Sequence, residues 1–145
     1  MELDRGGLDA EGFVRLLAEH MPQVAKAGIE VPVLRPGFCR VRLPVGEDDL
    51  RAGGTLSGPT MFTLADLALY GAVLSRIGAV ALAVTSTMTI TFLRKPAPRP
   101  LLAEARIIRL GRRTAYGEIL LFSEGEAEPV AHATGSYAIP GGAGG

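Results

Sequence analysis

The chain of 145 residues has little cysteine, little histidine and no excess of either charge. Cys39 is the one cysteine, so no disulfide can form within the chain, which favours a reducing compartment. Lys and Arg total 15, as do Asp and Glu, so no overall charge attracts nucleic acid or a membrane surface. Two histidines and one cysteine are too few for a usual zinc site, and we expect no metal.

Common catalytic motifs and a secretion signal are also absent. The sequence has no Gly-rich phosphate loop ending in Lys-Ser/Thr, no Gly-x-Ser-x-Gly elbow and no His-Glu-x-x-His. Residues 1–7 read MELDRGG, which is not a basic region followed by an apolar stretch, so we do not expect secretion. A cytoplasmic protein is the expectation.

One long apolar segment, 58–84, contains only two charged residues, Asp66 and Arg76. A membrane-spanning helix would carry the aspartate near its centre at a cost of ~2.5–3.5 kcal/mol. Gly78 also interrupts the segment. We therefore predict a long helix buried in a protein core rather than in a membrane.

Capping residues and apolar spacing place the other elements. Asp9 can cap a short N-terminal helix that ends at Pro22. Ser57 and Pro59 suit the start of the long helix, and Gly78 suits its end. Period-two patterns predict strands at 28–33, 38–45, 84–92, 101–110, 114–123 and 130–139.

The short connections between the later strands predict antiparallel pairing. An apolar helix needs cover on all sides, so we expect an α+β domain: a curved antiparallel sheet of about five to six strands wrapped around one long central helix. One domain covers 1–140, and the Gly-rich tail 141–145 is expected to be flexible. Strict alternation in 84–92 puts four threonines on one face: Thr85, Thr87, Thr89 and Thr91.

Asp66 is the main candidate for chemistry. A carboxylate in an apolar helix is unfavourable unless it has partners, and such groups often mark functional sites. The alternative is a structural Asp66 that only accepts hydrogen bonds from backbone or strand threonines. The helix start at Gly58 is the second candidate, since free N–H groups there can bind an oxyanion; the alternative is an ordinary capped helix.

The spacing of these two candidates adds a condition. Gly58 and Asp66 are eight residues apart on the predicted helix, which corresponds to ~12 Å along its axis. They cannot act on one carbonyl group from the same helix. If both are catalytic, the active site lies between two antiparallel copies of the chain.

The order of elements and several motifs resemble the hotdog-fold thioesterases of the phenylacetic-acid-degradation (PaaI-like) type. The motifs are GTLSGPTMFTLAD at 54–66, AVTSTMTITFLRKPA at 83–97, AEAR at 103–106, LGRR at 110–113 and VAHATGSY at 130–137. The resemblance covers residues 10–140 and implies an acyl-CoA thioesterase. It also implies a homodimer, further paired into a dimer of dimers, and no cofactor, because coenzyme A is part of the substrate.

By this resemblance, the Gly58 N–H binds the thioester oxygen, and Asp66 of the facing subunit is the nucleophile or general base. Thr85 takes the place of a strand hydroxyl that can orient a water, and Ser86 would replace it if a bulge shifted the strand. Two positions depart from the family pattern of His-Gly-Gly at the helix start. Ser57 stands at the position of the His and supplies no imidazole. Pro59 stands at the position of the second Gly and has no N–H to donate.

Two basic pairs are candidates for binding the phosphates of coenzyme A: Arg94 with Lys95, and Arg112 with Arg113. For any single one of them, a solvated surface charge is the alternative. By the resemblance, coenzyme A lies across such loops at the dimer surface, and Arg112 with Arg113 is the preferred pair.

Two other functions stay open at this stage. A hotdog hydratase or dehydratase normally pairs a catalytic His with an acidic residue, and the sequence has no His at either end of the central helix. A non-catalytic acyl-CoA-binding protein is the other, because Ser57 and Pro59 replace the family His and Gly. Thiol release from a panel of acyl-CoAs would separate these functions.

Overall fold

The structure is a computed structural model that describes residues 7–45 and 56–141. Its helices are α1 Ala10–His20, α2 Pro22–Lys26 and α3 Gly58–Ile77. Its strands are β1 Glu30–Arg35, β2 Phe38–Leu43, β3 Val84–Phe92, β4 Leu101–Leu110, β5 Thr114–Ser123 and β6 Ala131–Ala138. The polar, Gly-rich segment 46–54, whose composition predicts a loop, lies outside the described residues, as does the predicted tail beyond Gly141.

The strands form one antiparallel sheet in the order β1-β2-β4-β5-β6-β3, so β1 and β3 are its edges. The sheet wraps around α3, whose side chains make up much of the buried core. This arrangement confirms the predicted hotdog fold. The short α1 buries Phe13, Leu16 and Leu17, and its Phe13 ring packs edge-on against Tyr70 of α3.

The helix starts follow the predicted caps. The Asp9 carboxylate accepts a hydrogen bond from the Gly12 N–H at 2.8 Å. Ser57 caps α3, and Gly78 ends it with a φ of 90°, a conformation that favours glycine. Pro22 ends α1 as predicted but also begins α2, a short helix that the sequence pattern did not predict.

Helix α3 is long and apolar enough to cross a membrane, but 67% of its most apolar stretch is buried inside the fold. Such burial is what a core helix requires. Its contact with the sheet depends on Gly117 and Gly135, which pair across β5 and β6. A Cβ at Gly117 would lie 2.5 Å from the Leu69 side chain and 2.8 Å from the Arg106 carbonyl oxygen. The two glycines therefore form a flat seat that fixes Leu69 of α3 against the sheet.

The face that Thr85 occupies differs from the prediction. Thr85 pairs with Tyr137, whereas Thr87 pairs with Ser136, and the register shifts between the two threonines. Ser86 is the extra residue of this bulge. Thr85 therefore turns towards α3, while Thr87 bonds to the Ser136 hydroxyl at 2.8 Å on the exposed side. The common face predicted for all four threonines is wrong, because a bulge cannot be read from strict alternation.

Candidate active site

Asp66 lies partly buried on α3, with two hydroxyl groups on one of its oxygens. The Thr85 hydroxyl donates to Asp66 Oδ1 at 2.6 Å. The Tyr137 hydroxyl donates to the same oxygen at 2.7 Å. Among the described residues, no group donates to the other oxygen, Oδ2. The carboxylate is thus anchored through Oδ1 and retains one oxygen for chemistry.

Tyr137 is the site residue that sequence reasoning missed. Its ring is 3% exposed and stacks on Tyr70 at 5.6 Å between ring centroids. Burial, and then the nearby charge of Asp66, raise the pKa of Tyr137, so its hydroxyl stays protonated as a donor. The available signal was a tyrosine at an inward-facing strand position, because a buried phenol needs a hydrogen-bond partner.

The start of α3 presents one unused donor. The Ser57 hydroxyl accepts from the Thr60 N–H at 3.2 Å, and Pro59 has no N–H. Within residues 56–141, the Gly58 N–H has no acceptor. A Cβ on Gly58 would lie 3.3 Å from the Phe92 ring, so a larger residue would crowd this approach. Gly58 can therefore offer a single N–H, supported by the helix dipole, to an anionic oxygen.

The two basic pairs lie at opposite ends of the strands. Arg94 and Lys95 line a depression of about 450 Å³ together with Gly58. Arg112 and Arg113 immediately precede β5, whose first residue pairs with the end of β6 beside the start of β3. Within one chain, this places Arg112 and Arg113 near the Thr85 end of β3 and away from Gly58.

The chain therefore carries two half-sites. The carboxylate half consists of Asp66, Thr85 and Tyr137. The helix-start half consists of Gly58, Arg94 and Lys95. Both candidate catalytic residues lie on α3, eight residues apart, so ~12 Å of helix axis separates the halves.

The charges around the basic residues differ. Arg94 donates to Glu128 at 2.9 Å and to Glu126 at 3.3 Å, so its charge is already partly balanced. Arg112 and Arg113 are exposed, and neither forms an ion pair with a described residue. The second pair is the freer of the two to bind a phosphate.

The remaining candidates take lesser positions. Ser86 is exposed on the bulge and makes no hydrogen bond to Asp66, which Thr85 contacts instead. Cys39 is fully buried, and burial raises the pKa of its thiol to about 12, so it is an inert residue of the core. No group of three or more His, Cys, Asp or Glu side chains in the described ranges could hold a metal.

One side of α3 is left uncovered next to the edge strand. Phe62 and Thr63 are exposed there, one turn before Asp66. A depression of about 510 Å³ runs between them and the inner face of β3 at Ile90 and Phe92. The candidate site therefore opens onto an apolar face beside an unpaired strand edge.

A sheet wrapped around one helix, with a carboxylate held on that helix and an N–H at its start that has no acceptor among the described residues, is the arrangement of a hotdog protein of the thioesterase class. The sequence profile of the Thioesterase superfamily matches residues 53–130, more than half of the chain, so this protein belongs to that superfamily.

Known relatives refine this placement. A "putative thioesterase" from Silicibacter sp. has a solved structure that is 46% identical, with a TM-score of 0.84 over 92% of each chain. A variant of the phenylacetic acid degradation protein PaaI from Thermus thermophilus is 31% identical, with a TM-score of 0.70 over 81% of this chain and 98% of that one. A "putative esterase" from Saccharolobus solfataricus is 30% identical over 77% of this chain and 73% of its own length. The chain is a hotdog thioesterase of the PaaI type.

Proposed function

We propose that this protein hydrolyses the thioester bond of an acyl- or aryl-CoA. Asp66 acts as general base or nucleophile, and the Gly58 N–H of the facing subunit is the oxyanion donor. The observation that carries the proposal is the anchored Asp66 carboxylate, with Oδ2 unpaired among the described residues, beside an open apolar face. The thioesterase names of its relatives support the same reaction class.

The reaction places distinct demands on the two half-sites. When the thioester carbonyl is attacked, negative charge develops on its oxygen, and the Gly58 N–H with the helix dipole stabilises that charge. Asp66 either removes a proton from the attacking water or attacks the carbonyl itself to form an anhydride that water then hydrolyses. The C–S bond breaks in both cases, and the products are the carboxylic acid and the free thiol of coenzyme A.

Two chains complete the site. Val84 and Phe92 of the edge strand β3, and Leu93 just after it, are 56%, 50% and 52% exposed, which is unfavourable in an isolated chain. Antiparallel pairing of two β3 strands about a twofold axis covers these residues. Further pairing into a dimer of dimers remains a prediction.

The same twofold arrangement joins the two half-sites. In antiparallel pairing, the start of one β3 lies beside the end of its partner. The carboxylate half of one chain then faces the helix-start half of the other. Arg112 and Arg113 come from the first chain, while Arg94 and Lys95 come from the second, so basic residues from both chains surround the bound coenzyme A phosphates.

The departures from the family pattern affect the helix start only. The Ser57 hydroxyl is held in the cap by Thr60, so it does not replace an imidazole. Pro59 removes one N–H, which leaves Gly58 as the oxyanion donor. These changes leave Asp66 and its two hydroxyl donors untouched.

A non-catalytic acyl-CoA-binding protein is the second candidate, and the Ser57 and Pro59 substitutions favour it. A hydratase or dehydratase has less support, because the described histidines face elsewhere. His20 lies 3.9 Å from Glu19, and His132 bonds to Glu118 at 3.0 Å, so neither pairs with Asp66.

The test is thiol release from a panel of acyl-CoAs, measured with a thiol-reactive dye on wild type and Asp66→Asn. The buried Cys39 adds little background to this assay. Wild type should release coenzyme A from acyl-CoA. Asp66→Asn should bind acyl-CoA with an affinity similar to that of wild type but release no coenzyme A. Turnover retained in Asp66→Asn would show that Asp66 is not the catalytic residue. Absence of turnover in wild type, with acyl-CoA still bound, would favour the binding protein.

A further inference from the structure

The way Asp66 is held goes beyond what its catalytic role requires. An exposed aspartate side chain rotates about two bonds, and rotation can exchange its two oxygens. Here both neutral donors meet on Oδ1, from Thr85 at 2.6 Å and from Tyr137 at 2.7 Å. Two donors on one oxygen fix the orientation of the carboxylate plane and make its oxygens inequivalent.

Tyr137 is placed for this contact by its own packing. Its ring lies against Tyr70 with an angle of 16° between the planes. The hydroxyl lies 3.2 Å from the Asp66 carbonyl oxygen and 2.7 Å from Oδ1. One phenol hydrogen can serve only one acceptor well, and the shorter distance favours the carboxylate.

The neighbouring tyrosine shows that burial alone does not explain the contact. Tyr70 is also buried, and it directs its hydroxyl to the Ala81 carbonyl oxygen at 3.0 Å, a purely structural bond. Two stacked phenols thus have different acceptors, one on the backbone and one on the candidate catalytic carboxylate. This difference provides a matched pair for experiment.

We propose that Tyr137 is a positioning residue that, with Thr85, holds Asp66 by Oδ1 so that Oδ2 is the atom that takes the proton from water or attacks the thioester. This inference rests on the proposed thioesterase function. Tyr137 touches neither the substrate nor the reacting atoms, and it acts only through Asp66. Misplacing a reacting group by about 1 Å can lower the rate ~100-fold.

The test compares Tyr137→Phe with Tyr70→Phe. Each variant keeps the ring stack and loses one buried hydroxyl, so both should lower the melting temperature to a similar extent. Tyr137→Phe should lower kcat by roughly tenfold to a hundredfold with KM little changed, whereas Tyr70→Phe should keep the wild-type kcat. Unchanged kcat in Tyr137→Phe, or an equal loss in both variants, would overturn the proposal.

A second measurement covers the case in which Tyr137→Phe does not fold. Replacing Tyr137, and no other tyrosine, by a fluorotyrosine keeps the ring and the hydroxyl but makes the phenol a stronger hydrogen-bond donor. A stronger hydrogen bond favours the ionised carboxylate, so the acidic limb of the kcat–pH profile should move to lower pH. All other charges around the site are the same in the two proteins, so the difference between their profiles reports on this one hydrogen bond. An unmoved limb would contradict the role of Tyr137.

Asp66→Asn separates this inference from the proposed function. If Asp66→Asn abolishes turnover but Tyr137→Phe does not affect it, only the positioning role fails. If Asp66→Asn retains turnover, the proposed function fails, and the positioning role fails with it.

Discussion

Replacing Gly58 by proline should remove the oxyanion donor without removing the helix start. Proline is well accepted at the first position of a helix, since the N–H lost there has no intrahelical partner. Ser57 has φ −81° and ψ 157°, the extended conformation that a residue before proline prefers. Loss of one oxyanion donor typically lowers kcat ~100- to 1,000-fold, or about 2.7–4 kcal/mol. Because Pro59 donates nothing, we expect the full effect in Gly58→Pro.

Gly58→Ala is the matched control for this change. Both new side chains place a Cβ near the Phe92 ring, 3.3 Å away, which requires Phe92 to move by a few tenths of an ångström. The same shift of Phe92 is required in both variants, so it cancels in the comparison between them. Alanine keeps the N–H, so Gly58→Ala should lose far less kcat than Gly58→Pro in the acyl-CoA assay. Equal kcat in the two folded variants would refute the oxyanion role of Gly58.

The remaining predictions address the dimer, the phosphates and the core. A dimer of one Asp66→Asn chain and one Gly58→Pro chain contains one intact and one inactive site. Random re-association makes half of the dimers mixed, so it should restore roughly a quarter of wild-type activity from two inactive proteins. No recovery would place both residues in one chain's site. Arg112→Ala with Arg113→Ala should raise KM for acyl-CoA more than for a short thioester without the nucleotide, and equal effects would exclude phosphate binding. Gly117→Ala should reduce the free energy of unfolding by about 1–3 kcal/mol because a backbone oxygen blocks relaxation, while Gly111→Ala, with no contact under 3.4 Å, should change it little. Burial raises the pKa of Cys39 from 9.0 to about 12, so the fold favours the neutral thiol. The stability of wild type should therefore fall as the pH rises between these values, and it should fall less steeply in Cys39→Ala, which has no thiol.

Local signals predicted the parts of the fold that depend on neighbouring residues. The caps at Asp9 and Ser57 were correct, because capping depends on a side chain and the N–H three residues along. The strand positions were correct to within a few residues, since alternation of apolar and polar side chains is a local pattern. The short helix α2 was missed because five residues give too little periodicity to detect.

The candidate site needed information that no local pattern contains. Tyr137 and Asp66 are 71 positions apart, and only the pairing of β3 with β6 brings them together. The bulge at Ser86 decides which hydroxyl faces the helix, and bulges arise from pairing rather than from the sequence of one strand. The sequence could therefore single out Asp66 and Gly58 as candidates, but not the pair of hydroxyl groups that bond to the Asp66 carboxylate.

A twofold site also makes the axial position of α3 unusually important. If two antiparallel α3 helices face each other, a slide of each along its own axis moves Asp66 of one chain and Gly58 of the other in opposite directions. Their offset along the helix axes then changes by twice the slide. Leu69 lies three residues after Asp66, and its seat on Gly117 resists such a slide. We therefore predict that the glycine pair maintains the spacing of the two half-sites as well as the core, and that substitutions there reduce kcat even at temperatures where the protein remains folded.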